Sequence, residues 1–158
     1  MKIDFCIHSK QVVLPTGIEE ATVLVTDGKI LDVLKGKPEV LNTIMHDAGQ
    51  LVVMPGLIDS HVHINEPGRT DWEGFDTATK AAAAGGITTL VDMPLNSSPV
   101  TITPSAFEEK IKAALGKLHV NCGFWGGLIP QNEKCIGNLL QTGVLGIKAF
   151  LIDSGINE

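Results

Sequence analysis

The chain has few cysteines, no excess of positive charge and no long apolar run, and each lack closes off a class of protein. Its three cysteines, Cys6, Cys122 and Cys135, are odd in number and form no C-x-x-C pair. A reducing compartment follows, and the cytoplasm is the expected location. The formal net charge of −6 favours neither nucleic acid nor an anionic membrane surface as a partner. No stretch approaches the ~18 apolar residues of a membrane span. The opening Met1-Lys2-Ile3-Asp4-Phe5 carries no long apolar signal core, so neither secretion nor membrane insertion is expected. Also missing are G-x-G-x-x-G and the Walker sequence. What is present, 44% apolar and 19% charged residues, suits a folded globular chain.

Two rhythms divide the sequence. Residues 1–54 read as β: Ile3 to Ile7, Val12 to Leu14, Thr22 to Thr26, Ile30 to Leu34 and Leu51 to Met54 are short, β-branched runs. Asp27-Gly28 between two of them is a type I′ hairpin signal. This half is expected to be part of a small β-sandwich domain. His8 and His46 are read as surface or structural residues.

Residues 55–158 alternate strand, loop and helix. Leu57 to His61 makes a strand, and a helix over Phe75 to Ala84 closes at Gly85-Gly86. Thr88 to Asp92 is the next strand. Thr103 then caps a helix with Pro104 in its first position. Phe107, Ile111 and Leu115, four apart, give that helix a core face. Val120 to Trp125 is a third strand, Ile136, Leu139 and Leu140 mark a third helix ending at Gly143, and Val144 to Leu151 is a fourth strand. Repeated βα units with nearly continuous apolar strands argue for a parallel sheet covered on both faces.

The chemistry concentrates at His61-Val62-His63 and at Lys148, 85 residues beyond His63. Strand side chains alternate faces, so the two imidazoles point the same way and can grip one cation. An isolated His-x-His is more often a pair of surface or core histidines. Lysine as an ammonium has no lone pair to give, but a desolvated lysine can add carbon dioxide and become an anionic carbamate. His61, His63 and Lys148 each fall at the C-terminal end of a strand, the face that carries chemistry in (β/α)₈ barrels. An open doubly wound sheet fits the same pattern, yet the motifs that usually mark one are missing. The expected fold is therefore α/β, the first half (about four βα units) of a TIM-like (β/α)₈ barrel behind part of a small β-sandwich. A complete barrel needs eight strands and about 250 residues, so the sequence is expected to be the N-terminal part of a longer chain.

At these residues the sequence resembles the cyclic amidohydrolases, and within them the allantoinase branch. The resemblance covers essentially the whole chain. It is carried by Pro55 to His63, Asn65 to Phe75, Gly85-Gly86-Ile87-Thr88-Thr89, Asp92 to Pro99 and Gly146 to Phe150, in that order. Dihydroorotases usually place an arginine two residues beyond the second histidine; here Asn65 stands there, which suits a neutral ring with amide edges. The resemblance implies that His61 and His63 bind one divalent ion and that carbamylated Lys148 bridges it to a second. Zinc suits these ligands, as do cobalt, manganese and iron. It implies a small-molecule substrate, allantoin, hydrolysed to allantoate, and a homo-oligomer at full length.

The family's further ligands and its proton acceptor lie beyond these residues, so the 158 residues alone are expected to be inactive. Asn65 and Asn96 are candidate substrate contacts, with a turn-forming Asn-Ser pair the plainer account of Asn96. Asp59 and Asp92 either orient the histidines or are structural hydrogen-bonding groups. Arg69, Asp71, Trp72 and Glu73 either face the substrate or anchor their loop. His119, at the start of a strand, is read as structural. A dihydroorotase, a hydantoinase, or a non-catalytic truncated assembly or regulatory product are the alternatives.

Overall fold

Asp27 and Gly28 turn the chain with φ of 48° and 68°, the positive values a type I′ hairpin requires. Antiparallel pairing of β2 (Gly17–Thr26) with β3 (Lys29–Lys35) follows directly. The computed structural model describes residues 2–152. Asp153 to Glu158, the last residues of the expected half-barrel, lie outside the described residues. Two units follow one another along the chain, one ending at Pro55 and the other beginning at Gly56.

The first unit is a five-stranded mixed sheet of order β3, β2, β1 (Phe5–Leu14) and β4 (Ile44–Asp47), with β5 (Val52–Val53) also paired to β1. β1 runs unbroken from Phe5 to Leu14, whereas the sequence suggested two separate runs. The polar stretch between those runs is a bulge. Three steps along β1, from Ser9 to Val12, oppose two steps along β2, from Ala21 to Glu19. The Ser9 hydroxyl accepts the Gln11 amide at 2.9 Å and donates to the Leu51 carbonyl at 2.6 Å. β4 (Ile44–Asp47) and β5 (Val52–Val53) pair with β1 in parallel. β4 is too short to have shown a periodic signal. Val12, Ala21 and Val23 form the buried apolar face, with Leu14, Val25, Val33 and Val53 packed against them. His8 and His46 serve structure. His8 Nδ1 lies 3.2 Å from the Thr22 hydroxyl, and the His46 ring meets Phe5 edge-on at 5.7 Å.

In the second unit four parallel strands lie in sequence order: β6 (Leu57–Val62), β7 (Ile87–Asp92), β8 (Asn121–Leu128) and β9 (Gly146–Ala149). α1 (Phe75–Ala84) has the bounds its flanking residues predict, and α2 (Pro104–Ala114) starts where its cap predicts. Thr103 accepts the Ala106 amide, and Gly85 leaves α1 with its own amide on Ala81. α3 (Ile136–Gln141) is preceded by a single 3₁₀ turn at Glu133–Cys135. Leu115 departs from expectation. The helix ends at Ala114, Leu115 takes a non-helical ψ of 127°, and its side chain is 70% exposed.

Phe124 on β8 anchors the core, meeting Phe75 and Phe107 edge-to-face at 6.1 and 5.7 Å. Leu90, Cys122, Phe124 and Ile147 pack on this helix side, as does Val62. By alternation, His61, His63, Trp125 and Lys148 stand on the other face of the sheet. No helix among the described residues is long and apolar enough to cross a membrane.

Candidate metal centre

β6 carries a bulge where the histidines begin. Three steps from Asp59 to Val62 oppose two steps on β7, from Leu90 to Asp92. Asp59 closes it by accepting the His61 amide at 3.0 Å. It therefore holds the backbone of His61 and does not orient the ring. His61 and His63 come together on one face, their ring centroids 5.3 Å apart and tilted by 49°. Both are exposed, and among the described residues neither imidazole nitrogen has a hydrogen-bond partner. Two imidazoles without hydrogen bonds among the described residues thus stand side by side.

The backbone around this pair is pinned from outside β6. The Ser60 carbonyl accepts the Trp125 indole N–H at 2.9 Å, the Val62 carbonyl accepts the Met93 amide at 2.7 Å, and the Ile64 amide donates to Asp92 Oδ1 at 2.7 Å. Asp92 is fully buried, and its second oxygen takes Lys110 Nζ at 2.6 Å. Burial pushes the Asp92 carboxyl up, while Lys110, the Ile64 amide and His63 pull it back. Asp92 is thus the structural hydrogen-bonding group of the two readings: it grips the chain after His63 and is itself neutralised from α2. Burial likewise pushes the neighbouring Cys122 thiol up to about 12, with the Asp92 charge adding to it. A thiol so raised is a poor nucleophile or ligand.

Sequence reasoning missed Lys110. Its signal was positional: with Phe107, Ile111 and Ala114 it falls at helical spacing on the buried stripe of α2. It also missed Glu66, which is buried, caps α1 through the Phe75 amide at 3.0 Å and pairs with Lys117. No nearby side chain caps that helix, since Gly74 occupies the N-cap. A remote carboxylate at a helix N-terminus does so instead.

Lys148 stands on β9, the border strand opposite β6, in register with Gly127. Its ammonium lies 4.9 Å over the Phe150 ring. It shares the wall of a largely apolar cavity of about 400 Å³ with Leu95, Ile102, Gly127, Leu128 and Phe150. Among the described residues no three His, Cys, Asp or Glu side chains converge where an ion could sit.

Asn65 is buried and sits in the loop after β6. Its amide donates to the Glu73 carbonyl and its carbonyl accepts the Arg69 amide, both at 2.9 Å. Its side-chain Oδ1 has no partner. Asn96 follows β7, and its carbonyl accepts Arg69 Nη1 at 3.3 Å. Arg69 therefore ties the two asparagine loops together while its guanidinium stacks 5.4 Å over Trp72. Glu73 binds the Thr77 hydroxyl. Arg69, Trp72 and Glu73 thus anchor their loop. His119 lies before β8, at the other end of the sheet, with Nε2 2.9 Å from Asp76.

Residues 52–150 match the amidohydrolase family. The chain is 50% identical over 98% of its length to a protein named allantoinase from Arabidopsis thaliana. It is 52% identical over 96% to one named allantoinase, mitochondrial, from Aquarana catesbeiana, and 45% identical over 96% to an allantoinase from Saccharomyces cerevisiae. It covers 32%, 32% and 35% of these proteins, so the chain spans about a third of the length of the curated relatives it matches. Among solved structures, an L-hydantoinase (dihydropyrimidinase) from Arthrobacter aurescens aligns with TM-score 0.90 at 33% identity, covering 99% of this chain and 35% of that one. A D-hydantoinase from Bacillus sp. AR9 aligns with TM-score 0.81 at 25% identity, covering 98% of this chain and 35% of its own. The fold is the expected one: α/β, with parallel strands matching the N-terminal part of a hydantoinase-like barrel.

Proposed function

We propose, from the premise that this chain belongs to the amidohydrolase family, that the whole protein is a metal-dependent hydrolase that opens the ring of allantoin to give allantoate. One observation carries the substrate. About half of all positions are shared with proteins named allantoinase along nearly the entire chain, against 33% with the L-hydantoinase that aligns over the same residues.

The donor set fits a divalent cation. His61 and His63 present unbonded nitrogens on one face, and a single ion between them is the plainest use of that pair. Lys148 would join the set as a carbamate: its neutral amine adds to carbon dioxide, forms an N–C bond and releases a proton, leaving one negative charge shared by two oxygens that could serve divalent ions. Zinc is the first choice, with cobalt, manganese and iron suited to the same nitrogen and oxygen donors. When bound, such ions supply Lewis acidity and acidify water.

The remaining work falls to the loops. Asn65 Oδ1, buried without a partner, accepts a ring N–H of the substrate, and the Asn96 side chain offers a donor and an acceptor to the same neutral amide edge. A carboxylate-binding arginine has no place in that arrangement. The proton acceptor is assigned to no residue of this chain. Assembly as a homo-oligomer and a cytoplasmic location belong to the same proposal, the latter supported by three free thiols.

The test is turnover by the complete protein of allantoin, dihydroorotate and hydantoin, with and without prior chelation. Allantoate formation that chelation abolishes is the expected result. Preference for dihydroorotate overturns the role given to Asn65. Preference for hydantoin supports the second reading, a hydantoinase, which the 0.90 TM-score favours.

A further inference from the structure

Trp125 is one of two tryptophans in the chain and sits on β8, a strand that carries none of the candidate ligands. Its neighbour Phe124 faces the helices, so Trp125 lies on the face shared by His61, His63 and Lys148. There its indole N–H reaches past β7 to the Ser60 carbonyl of β6 at 2.9 Å. Ser60 immediately precedes His61 and lies within the register shift between Asp59 and Val62. The six-membered ring of the same indole lies against β9. A Cβ added to Gly146 would stand 2.4 Å from Trp125 Cζ3 and 3.0 Å from Cε3. Gly146 is two residues before Lys148 and on the same face. One rigid ring therefore touches the border strand that carries the histidines and the border strand that carries the lysine.

We infer that Trp125 is a positioning residue that sets the spacing between the His61–His63 pair and Lys148. It holds the Ser60 carbonyl at one end and bears on the bare backbone of Gly146 at the other. This rests on the reading of those three residues as metal ligands. Trp125 is not itself a ligand, because an indole N–H is a donor with no lone pair to give. Its value is geometric. The strands between the two borders can shift their twist by small amounts, and a ring with no internal torsion holds the span where a flexible side chain would follow the strands. Gly146 completes the device, since any larger residue there would push the ring aside.

The experiment uses the complete protein, stripped of metal and titrated with cobalt(II) alone, with the visible absorption bands reporting ligand geometry. Trp125→Phe keeps an aromatic ring but removes the donor and shortens the reach. It should weaken cobalt affinity by roughly 10- to 100-fold, the usual cost of losing a group that orients a ligand, and alter the bands, while the melting temperature of the metal-free protein stays within a few degrees. Gly146→Ala should weaken affinity similarly by displacing the indole. The double variant Trp125→Phe/Gly146→Ala should be no worse than either single variant, because the smaller ring leaves room for the methyl; neighbours that act through one contact do not add. Unchanged affinity and bands in folded Trp125→Phe, or losses that add in the double variant, overturn the inference. His61→Ala separates the role of Trp125 from that of the ligands. If it abolishes the bands while Trp125→Phe leaves them intact, only the role of Trp125 falls. If the bands survive His61→Ala, the ligand reading falls and takes this inference with it.

Discussion

The two units contain the same backbone device put to different ends. In β1, three steps from Ser9 to Val12 oppose two on the partner strand; in β6, three steps from Asp59 to Val62 do the same. Each extra residue is closed by a side chain accepting the amide two positions on: Ser9 for Gln11 at 2.9 Å, Asp59 for His61 at 3.0 Å. The first bulge is neutral and internal, its serine fully buried and its hydroxyl spent on the Leu51 carbonyl. The second turns two unbonded imidazoles outward. A bulge by itself therefore decides where the strand turns, and the residues riding on it decide whether chemistry follows. Among the described residues, the second unit holds a buried ion pair as well as the exposed Lys80–Asp76. The Lys37–Asp47 pair of the first is 49% and 44% exposed, whereas Lys110–Asp92 of the second is 1% and 0% exposed.

Substituting the proposed ligands should break the comparison most severely. His61→Ala, His63→Ala or Lys148→Ala in the complete protein should each lower turnover by more than the roughly 100-fold that marks the upper end for a group acting through a ligand. Ser9→Ala should leave metal content unchanged, which elemental analysis of purified variants checks.

Next in size is the contrast between ion pairs. Lys110→Met leaves Asp92 buried without its partner and should cost about 3–5 kcal/mol in denaturant unfolding. Lys37→Met, on the exposed pair, should cost less than about 1 kcal/mol. Equal losses would remove the distinction between the buried and the exposed pair.

A finer test compares the two bulges. Ser9→Ala deprives a buried strand of hydrogen bonds and should cost about 1–3 kcal/mol of stability. Asp59→Ala should cost less stability but weaken metal binding by roughly tenfold, read by competition with a chelator.

The smallest effect concerns pH. The Lys80 and His119 hydrogen bonds hold the Asp76 carboxyl below the usual carboxylate range. A lowered folded value means that its contribution is fully present above the ordinary value of about 3.9. That contribution disappears as pH falls through the lower, folded one. Melting curves of wild type and Asp76→Asn should differ slightly at pH 5–6 and converge in strong acid.

Much of this was legible in the residues, for identifiable reasons. α1 and α2 announced themselves because their ends are local: Gly85-Gly86 and Thr103-Pro104 are bound to their own helices. The histidine pair was legible because strand alternation is local too. Leu115 misled because four-residue spacing does not say where a helix stops, and the turn at Leu115 is set by the residues that follow. β1 read as two strands because a bulge places polar residues where alternation expects apolar ones. Asp92 was legible as a candidate but not in its role, which depends on Lys110, a residue 18 positions away on another element. Trp125 was visible only as the end of an apolar run. Its reach to Ser60, 65 positions earlier, is a property of the assembled sheet alone.

The strand order of the second unit also has a consequence for biosynthesis. Each strand of β6-β7-β8-β9 pairs with the one made just before it, so the sheet can be laid down in the direction of translation without waiting for a distant partner. Met93 and Asp92 grip the histidine segment as soon as β7 emerges. At about 5–20 residues per second, Lys148 follows Asp92 out of the ribosome by roughly 3–11 s. The segment that carries the two imidazoles is therefore gripped on the nascent polypeptide before Lys148, the third member of the proposed centre, emerges.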